Sequence, residues 1–390
     1  MSLGRLTQSV STPEQVRELA RVRASTGAGV FSLYLDLDPS EFAVPKARLA
    51  EVESLADAAR QRYTDDEEHR PLELDSPVAR TVERVRSYLE NDFAPEGARG
   101  VAVFASEEPD LLIVIRLHHA VQGRVVLAER PFVRPLLEGP PPLDGWFLLM
   151  VNRRTARLLA GRRGSLEEVA GFTDAVHRRH DQGGLSQPGY QRHVEKQVKG
   201  HVRHACQELF ERSRSERVEH LVLSTTEEVK PLVESALHPD LARALAGHVT
   251  ADIEVAKPDQ LSAEVLDMAV RDREESDREL LEQLGAELAH GERAAAGLQP
   301  VLNALNLHAV EVLMACPDLA GSVRSCPTCG WLGLDEATCP VDGTQTNPRD
   351  DVLEAAVQSA LDQDAAVRLL DRDEVRSKGC IAALLRFDVG

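Results

Sequence analysis

Between Val30 and Ser40 apolar and polar residues alternate, with Phe31, Leu33, Leu35 and Leu37 on one side and Ser32, Tyr34, Asp36 and Asp38 on the other. A period of two predicts a half-buried strand. A charged stretch at 45–63 predicts a helix after it, and runs at 99–106 and 110–117 predict further strands. The segment 123–138 closes a first α/β unit, and the prolines of 138–145 mark a linker, because three in a row cannot sit inside an element. Apolar runs at 146–151 and 156–160 flank a polar turn and predict a hairpin. A helix over about 190–214 follows, then a strand and a Thr-capped helix over 219–237. Past the break at 256–260 the pattern predicts a long charged helix (261–288), a helix (298–307), a strand (309–315), a helix (350–361) and two closing strands (365–370, 378–387).

Elements of both kinds alternate throughout, so the fold class expected is α/β, with a mixed sheet and helices in each of three domains. Their expected bounds are 1–140, 146–255 and 260–390. No internal repeat is present.

Composition narrows the function. Apolar residues make up 43% of the 390 and charged residues 28%, enough for packed cores. No apolar run reaches the length of a signal peptide core or a membrane span, so a cytoplasmic protein with no membrane partner is expected. The net charge of −19 excludes general coating of nucleic acid, since phosphate contacts need Lys and Arg. Against that background, 177–204 carries six cations, Arg178, Arg179, Arg192, Lys196, Lys199 and Arg203, and only two acids. Its neighbour 153–163 is also basic. Steps of 4, 3 and 4 from Arg192 to Arg203 put the last four on one helix face. Such a stripe is an RNA-phosphate surface or a solvated face, and the glycine loop before it is a ligand loop or a flexible turn.

Three cysteines, Cys326, Cys329 and Cys339, crowd into an insert at 325–343, in two Cys-Pro-x-x-Gly-type knuckles of which the second ends in Asp342. Four donors at this spacing point to a structural zinc site of Cys326, Cys329, Cys339 and Asp342, in a small ribbon-like insert of the C-terminal domain. The alternative is a ribbon whose cysteines pack as small hydrophobes. Cys206, Cys316 and Cys380 are expected to be buried and inert, and the histidines at 118, 119, 177, 180, 193, 201 and 204 to lie on the polar surface or in solvent. The sequence has no phosphate-binding Walker loop, dinucleotide fingerprint or Gly-x-Ser-x-Gly elbow.

The loop Gly-Gly-Leu-Ser-Gln-Pro-Gly-Tyr-Gln-Arg at 183–192 resembles the active loop of the archaeal/eukaryotic peptide chain release factor and Pelota superfamily. Gly183, Gly184, Ser186, Tyr190 and Arg192 match its pattern; Leu185 stands at its usual glutamine. Gln187 fits the Gly-Gly-x-Ser-Gln form of the bacterial and archaeal peptidyl-tRNA hydrolase branch. The closing 379–387 also resembles the superfamily's last strand, with Cys380 in place of a glycine.

The resemblance implies a three-domain tRNA-mimicking translation factor that is a monomer off the ribosome. Its partners would be ribosomal RNA and peptidyl-tRNA, with room for delivery by a translational GTPase. It implies peptidyl-tRNA ester hydrolysis in release or rescue, with Gly183 and Gly184 shaping the loop, Ser186 supporting it and Gln187 positioning water or the oxyanion. Arg178, Arg179, Tyr190, Arg192, Lys196, Lys199 and Arg203 would contact RNA. The superfamily also contains non-catalytic rescue and hibernation factors, so the second expectation is a ribosome-binding protein without hydrolysis.

Overall fold

The computed structural model describes residues 6–9, 13–24, 29–38, 50, 52–54, 57, 77–95, 97–162, 164–174, 187–291 and 293–389. They form two compact units, one of residues 1–140 with 274–390 and one of residues 141–273.

In the first unit, β1 (Leu6–Ser9), β2 (Val30–Asp36), β3 (Gly100–Ser106), β4 (Leu111–Leu117) and β5 (Arg124–Ala128) form a sheet in the order β1-β4-β3-β2-β5. In this sheet β1 and β4 pair in parallel and the other described pairs are antiparallel. The alternating strand forms as the pattern predicts, but its polar side does not face water: Ser32 and Tyr34 are fully buried. The reason is that both faces are covered. Helix Pro77–Asn91 packs Val78, Val82 and Val85 against one face. On the other, Tyr34 and Phe104 share a cluster with Val352, Leu353 and Val357 of helix Val352–Asp362. The two hydroxyls are satisfied locally. Tyr34 Oη donates to the Phe132 carbonyl (2.6 Å), and Ser32 Oγ accepts from the Phe132 N–H (3.0 Å).

The segment 130–134 straps this sheet to helix Val352–Asp362 through the Arg130–Asp362 and Arg134–Asp351 ion pairs. Between them Glu354 is buried; it accepts from the Val133 N–H (3.3 Å) and from Gln358 Nε2 (3.0 Å). Its Oε2 has no hydrogen-bond partner among the described residues. Burial pushes this carboxyl up to about 7. A carboxyl whose folded pKa is raised stabilises the fold below its unfolded pKa, and that stability is lost as pH rises through about 7. Glu354→Gln keeps the amide-like acceptor without the charge. It is expected to stabilise the chain by roughly 3 kcal/mol at pH 8, with little effect at pH 5. Thermal melts at the two pH values check this; an equal shift at both would contradict it.

The C-terminal sheet joins β11 (Ala294–Ala296), β12 (Val310–Ala315), β16 (Ala366–Leu369) and β17 (Ile381–Leu385) in the order β11-β17-β12-β16. β17 is apolar throughout because it is paired on both edges and buried along its length. The cysteine insert forms its own three-stranded ribbon, β14-β13-β15, from β13 (Val323–Ser325), β14 (Leu332–Gly333) and β15 (Asn347–Arg349).

The second unit holds β6 (Trp146–Val151), β7 (Thr155–Arg162), β8 (Ser165–Thr173), β9 (His220–Thr225) and β10 (Leu245–His248), in the order β10-β9-β6-β7-β8. β6, β7 and β8 form the expected hairpin extended by a strand. Helix Gln187–Arg212 then carries the chain to β9, parallel to β6. Alternate residues of β6 serve opposite faces: Phe147, Leu149 and Val151 pack under that helix. Trp146, Leu148 and Met150 pack with Leu261, Val265 and Ala269 of helix Pro258–His290. Helix Pro239–Arg243 leads into strand β10. Among the described residues no helix is long and apolar enough to cross a membrane.

Candidate RNA-binding helix and metal centre

Helix Gln187–Arg212 has two chemically distinct faces. Val194, Val198, Val202, Ala205 and Leu209 are buried, at steps of 4, 4, 3 and 4. That stripe faces the sheet, so the residues between it face out. Arg192, Lys196, Lys199 and Arg203 are all exposed, on the one face that their spacing predicts. Lys196, Lys199 and Arg203 have no ion-pair partner among the described residues. Pro188 falls in the helix's first turn, where its missing N–H leaves no intrahelical bond unmade. The Gln187 and Tyr190 backbones lie in the same turn. Arg178, Arg179, Gly183, Gly184 and Ser186 lie outside the described residues.

The neighbouring basic segment behaves differently. Arg153 pairs with Glu228 (2.6 Å), Arg154 with Glu254 (3.4 Å), Arg157 with Glu168 (2.7 Å) and Arg162 with Glu216 (2.7 Å). Each of these four arginines thus has a carboxylate partner, Glu216 being shared with Arg212, whereas the helix row Lys196, Lys199 and Arg203 has none among the described residues.

Not all the histidines are at the surface. His201 is buried, with its Nδ1 2.7 Å from Asp174 Oδ2, and His204 Nδ1 lies 3.5 Å from the same oxygen. The hydrogen bond from His201 holds the Asp174 carboxyl below its ordinary range. Asp174 directly follows the last residue of β8, so this contact ties the end of that strand to helix Gln187–Arg212. His118 and His119 are partly buried, and burial lowers both imidazoles. Nothing in sequence spacing marks Asp174 as a partner of His201, twenty-seven residues away.

The cysteine insert brings its donors together. Ligand atoms of Cys326, Cys329, Cys339 and Asp342 all lie within 4.8 Å of one another. Cys329 Sγ is 3.6 Å from Cys339 Sγ, and Cys326 Sγ is 3.4 Å from the nearer Asp342 oxygen. The two knuckles have the same geometry. Gly330 N–H donates to the Cys326 carbonyl and Gly343 N–H to that of Cys339, both at 3.0 Å. Cys326 N–H donates to the Trp331 carbonyl and Cys339 N–H to that of Thr344, both at 2.8 Å. Gly330 (φ 77°) and Gly343 (φ 74°) take the left-handed conformation that this turn requires. Asp342 thus stands where a fourth cysteine would complete the repeat. The Thr344 N–H, among other donors, holds its carboxyl down to about 2. Three sulfurs and an oxygen at these separations can hold one tetrahedral metal ion.

Cys206 is buried, and burial pushes its thiol up to about 11, as expected of an inert cysteine. Cys316 and Cys380 are not isolated. Their thiols and the Asp318 carboxylate lie within 4.8 Å of one another, beside Arg376, and Cys380 is only half-buried at a φ of 62°. Spacing gives no sign of this second group, because strand pairing assembles it.

Together these features define an α/β protein with an uncompensated cationic helix and a cysteine-rich ribbon. Residues 131–274 match the model of bacterial archaeo-eukaryotic release factor family 10. The peptide chain release factor subunit 1 of Methanopyrus kandleri is 29% identical over 224 residues, 52% of this chain. The match spans about half (51%) of that relative's length. Among solved structures, an archaeal translation termination factor, aRF1, is 17% identical, with 97% of this chain and 99% of that one covered and a TM-score of 0.26. Archaeoglobus fulgidus Pelota is 14% identical, with 98% and 94% covered and a TM-score of 0.36.

Proposed function

We propose that the chain is a ribosome-associated translation factor that seats the exposed face of helix Gln187–Arg212 on ribosomal RNA. One observation carries this reading: in a chain of net charge −19, Lys196, Lys199 and Arg203 form an exposed row with no acidic partner among the described residues. Leaving cations without a partner beside four arginines that each have a carboxylate suits a polyanionic partner. Arg192 extends the row, and Arg178, Arg179 and Tyr190 belong to the same proposed surface. The family match and the release-factor relative support it.

The segment at the N-terminal end of this helix then serves the ester that joins peptide to tRNA. Water attacks the ester carbonyl, and the tetrahedral oxyanion needs a donor. Gly183 and Gly184 let backbone pass close to RNA and offer N–H groups, with Ser186 supporting the turn. Gln187 has an amide that donates and accepts, so it can orient water without acting as a strong base. Zinc is the ion proposed for Cys326, Cys329, Cys339 and Asp342. Its role is structural, because all four positions are filled by protein. Delivery by a translational GTPase fits the same reading.

A second reading is favoured by Leu185, which occupies the superfamily's usual glutamine position: a rescue or hibernation factor that binds without hydrolysis. Peptide release from ribosomes carrying peptidyl-tRNA separates the two. Hydrolysis predicts release by the wild type and a loss of on the order of 100-fold for Gln187→Ala, since positioning groups of this kind contribute several kcal/mol. Equal rates for wild type, Gln187→Ala and Gly184→Ala would leave only the binding role.

A further inference from the structure

The outer side of the basic helix carries a feature that phosphate contact alone does not use. Gly200 is exposed in the middle of this 26-residue helix, where glycine is less favourable than alanine. A Cβ placed on it would meet nothing within 4 Å, so no contact inside the described chain calls for glycine there. It lines a groove of about 600 Å³ together with Arg203, His204, Gln207, Phe210 and His238. Volumes of this order suit a small ligand.

Two imidazoles that border the groove rest on phenyl rings, one stacked and one tilted. His238 lies on Phe210, with ring centroids 4.4 Å apart and planes 28° apart. His204 lies on Phe172, with centroids 4.0 Å and planes 32° apart. Both imidazoles keep exposure, 41% for His238 and 54% for His204. Each is therefore a pre-ordered planar surface reachable from solvent. Gln207 donates its Nε2 to Glu211 (2.9 Å), which orients the amide and leaves its carbonyl oxygen to accept. Arg203 supplies a cation with no ion-pair partner among the described residues.

We propose that this groove takes one unstacked nucleotide of single-stranded RNA. The base lies against the imidazoles, the Gln207 carbonyl accepts from an exocyclic amine, and Arg203 holds the adjoining phosphate. The bare backbone at Gly200 admits the sugar-phosphate at close range. Stacking of this kind is sequence-tolerant and independent of salt, unlike phosphate contact. The inference rests on the proposed RNA-binding role of the helix, and its test keeps the two apart.

The probes are dye-labelled decamers, one of riboadenylate and one abasic, titrated by fluorescence anisotropy at several salt concentrations. Wild type is expected to prefer the riboadenylate by about tenfold. His238→Ala is expected to remove about tenfold in affinity with no change in salt slope. Gly200→Leu, which fills the groove with a better helix former, is expected to weaken binding while the melting temperature holds or rises. Lys199→Ala is expected to lower the slope by about 1. Equal affinity for both decamers, or unchanged binding by both His238→Ala and Gly200→Leu, would overturn the groove. In that case a persisting Lys199→Ala effect would leave the RNA-binding face standing. If wild type bound neither decamer the groove would be overturned, and ribosome co-sedimentation would then decide the broader reading.

Discussion

Replacing Lys196, Lys199 and Arg203 together by alanine is expected to lower affinity for ribosomes by on the order of 100-fold at about 100 mM salt. The plot of log affinity against log salt should also become shallower by about 2 to 3, because each lost phosphate contact removes close to one released counterion. The fold should not suffer. All three side chains are exposed, none has an ion-pair partner among the described residues, and alanine favours helix. An internal control is available in the neighbouring arginines. Arg153→Ala removes a charge already balanced by Glu228, so it should leave the salt slope nearly unchanged. A triple variant that binds like wild type would remove the basis of the proposal.

The second large effect concerns the ribbon. Purified chain is expected to hold one equivalent of zinc, and Cys339→Ser or strong chelation is expected to release it. Structural zinc sites in small peptides carry apparent binding energies on the order of 10 kcal/mol. The consequence should reach beyond the insert. Asn306, at the end of helix Leu298–Asn306, exchanges two hydrogen bonds of 2.8 Å with the Leu332 backbone. Leu332 and Val323 are buried in the same cluster as Val301 and Leu302 of that helix. Loss of metal should therefore speed amide exchange through 323–349 and loosen the end of this helix. Asp342→Cys should retain the ion, since it restores the repeat's fourth thiolate. Absence of zinc, with exchange unaffected by Cys339→Ser, would contradict the site.

Much of this architecture is legible from short-range pattern. The alternation at 30–36, the runs of β3, β4 and β6, and the long charged helix all form where periodicity puts them. The knuckles are legible because their ligands are close in sequence, so local turn geometry decides the outcome. Long-range features are not. Ser32 and Tyr34 read as a wet face, because nothing near them in sequence announces the helix 320 residues away that covers it. The basic segment 153–163 reads as a cationic patch until its partners, up to 100 residues distant, are placed. Likewise Phe210 and His238 reach one another only through the fold. Local pattern specifies elements and local donors, whereas charge compensation and stacking depend on which elements meet.

The most direct test of the central claim is co-sedimentation of the wild-type chain with purified ribosomes between about 50 and 200 mM salt, the range over which counterion release is steep. Saturable binding at low salt that falls by at least tenfold across this range is the predicted result. A chain that stays in the supernatant at every salt concentration would contradict it.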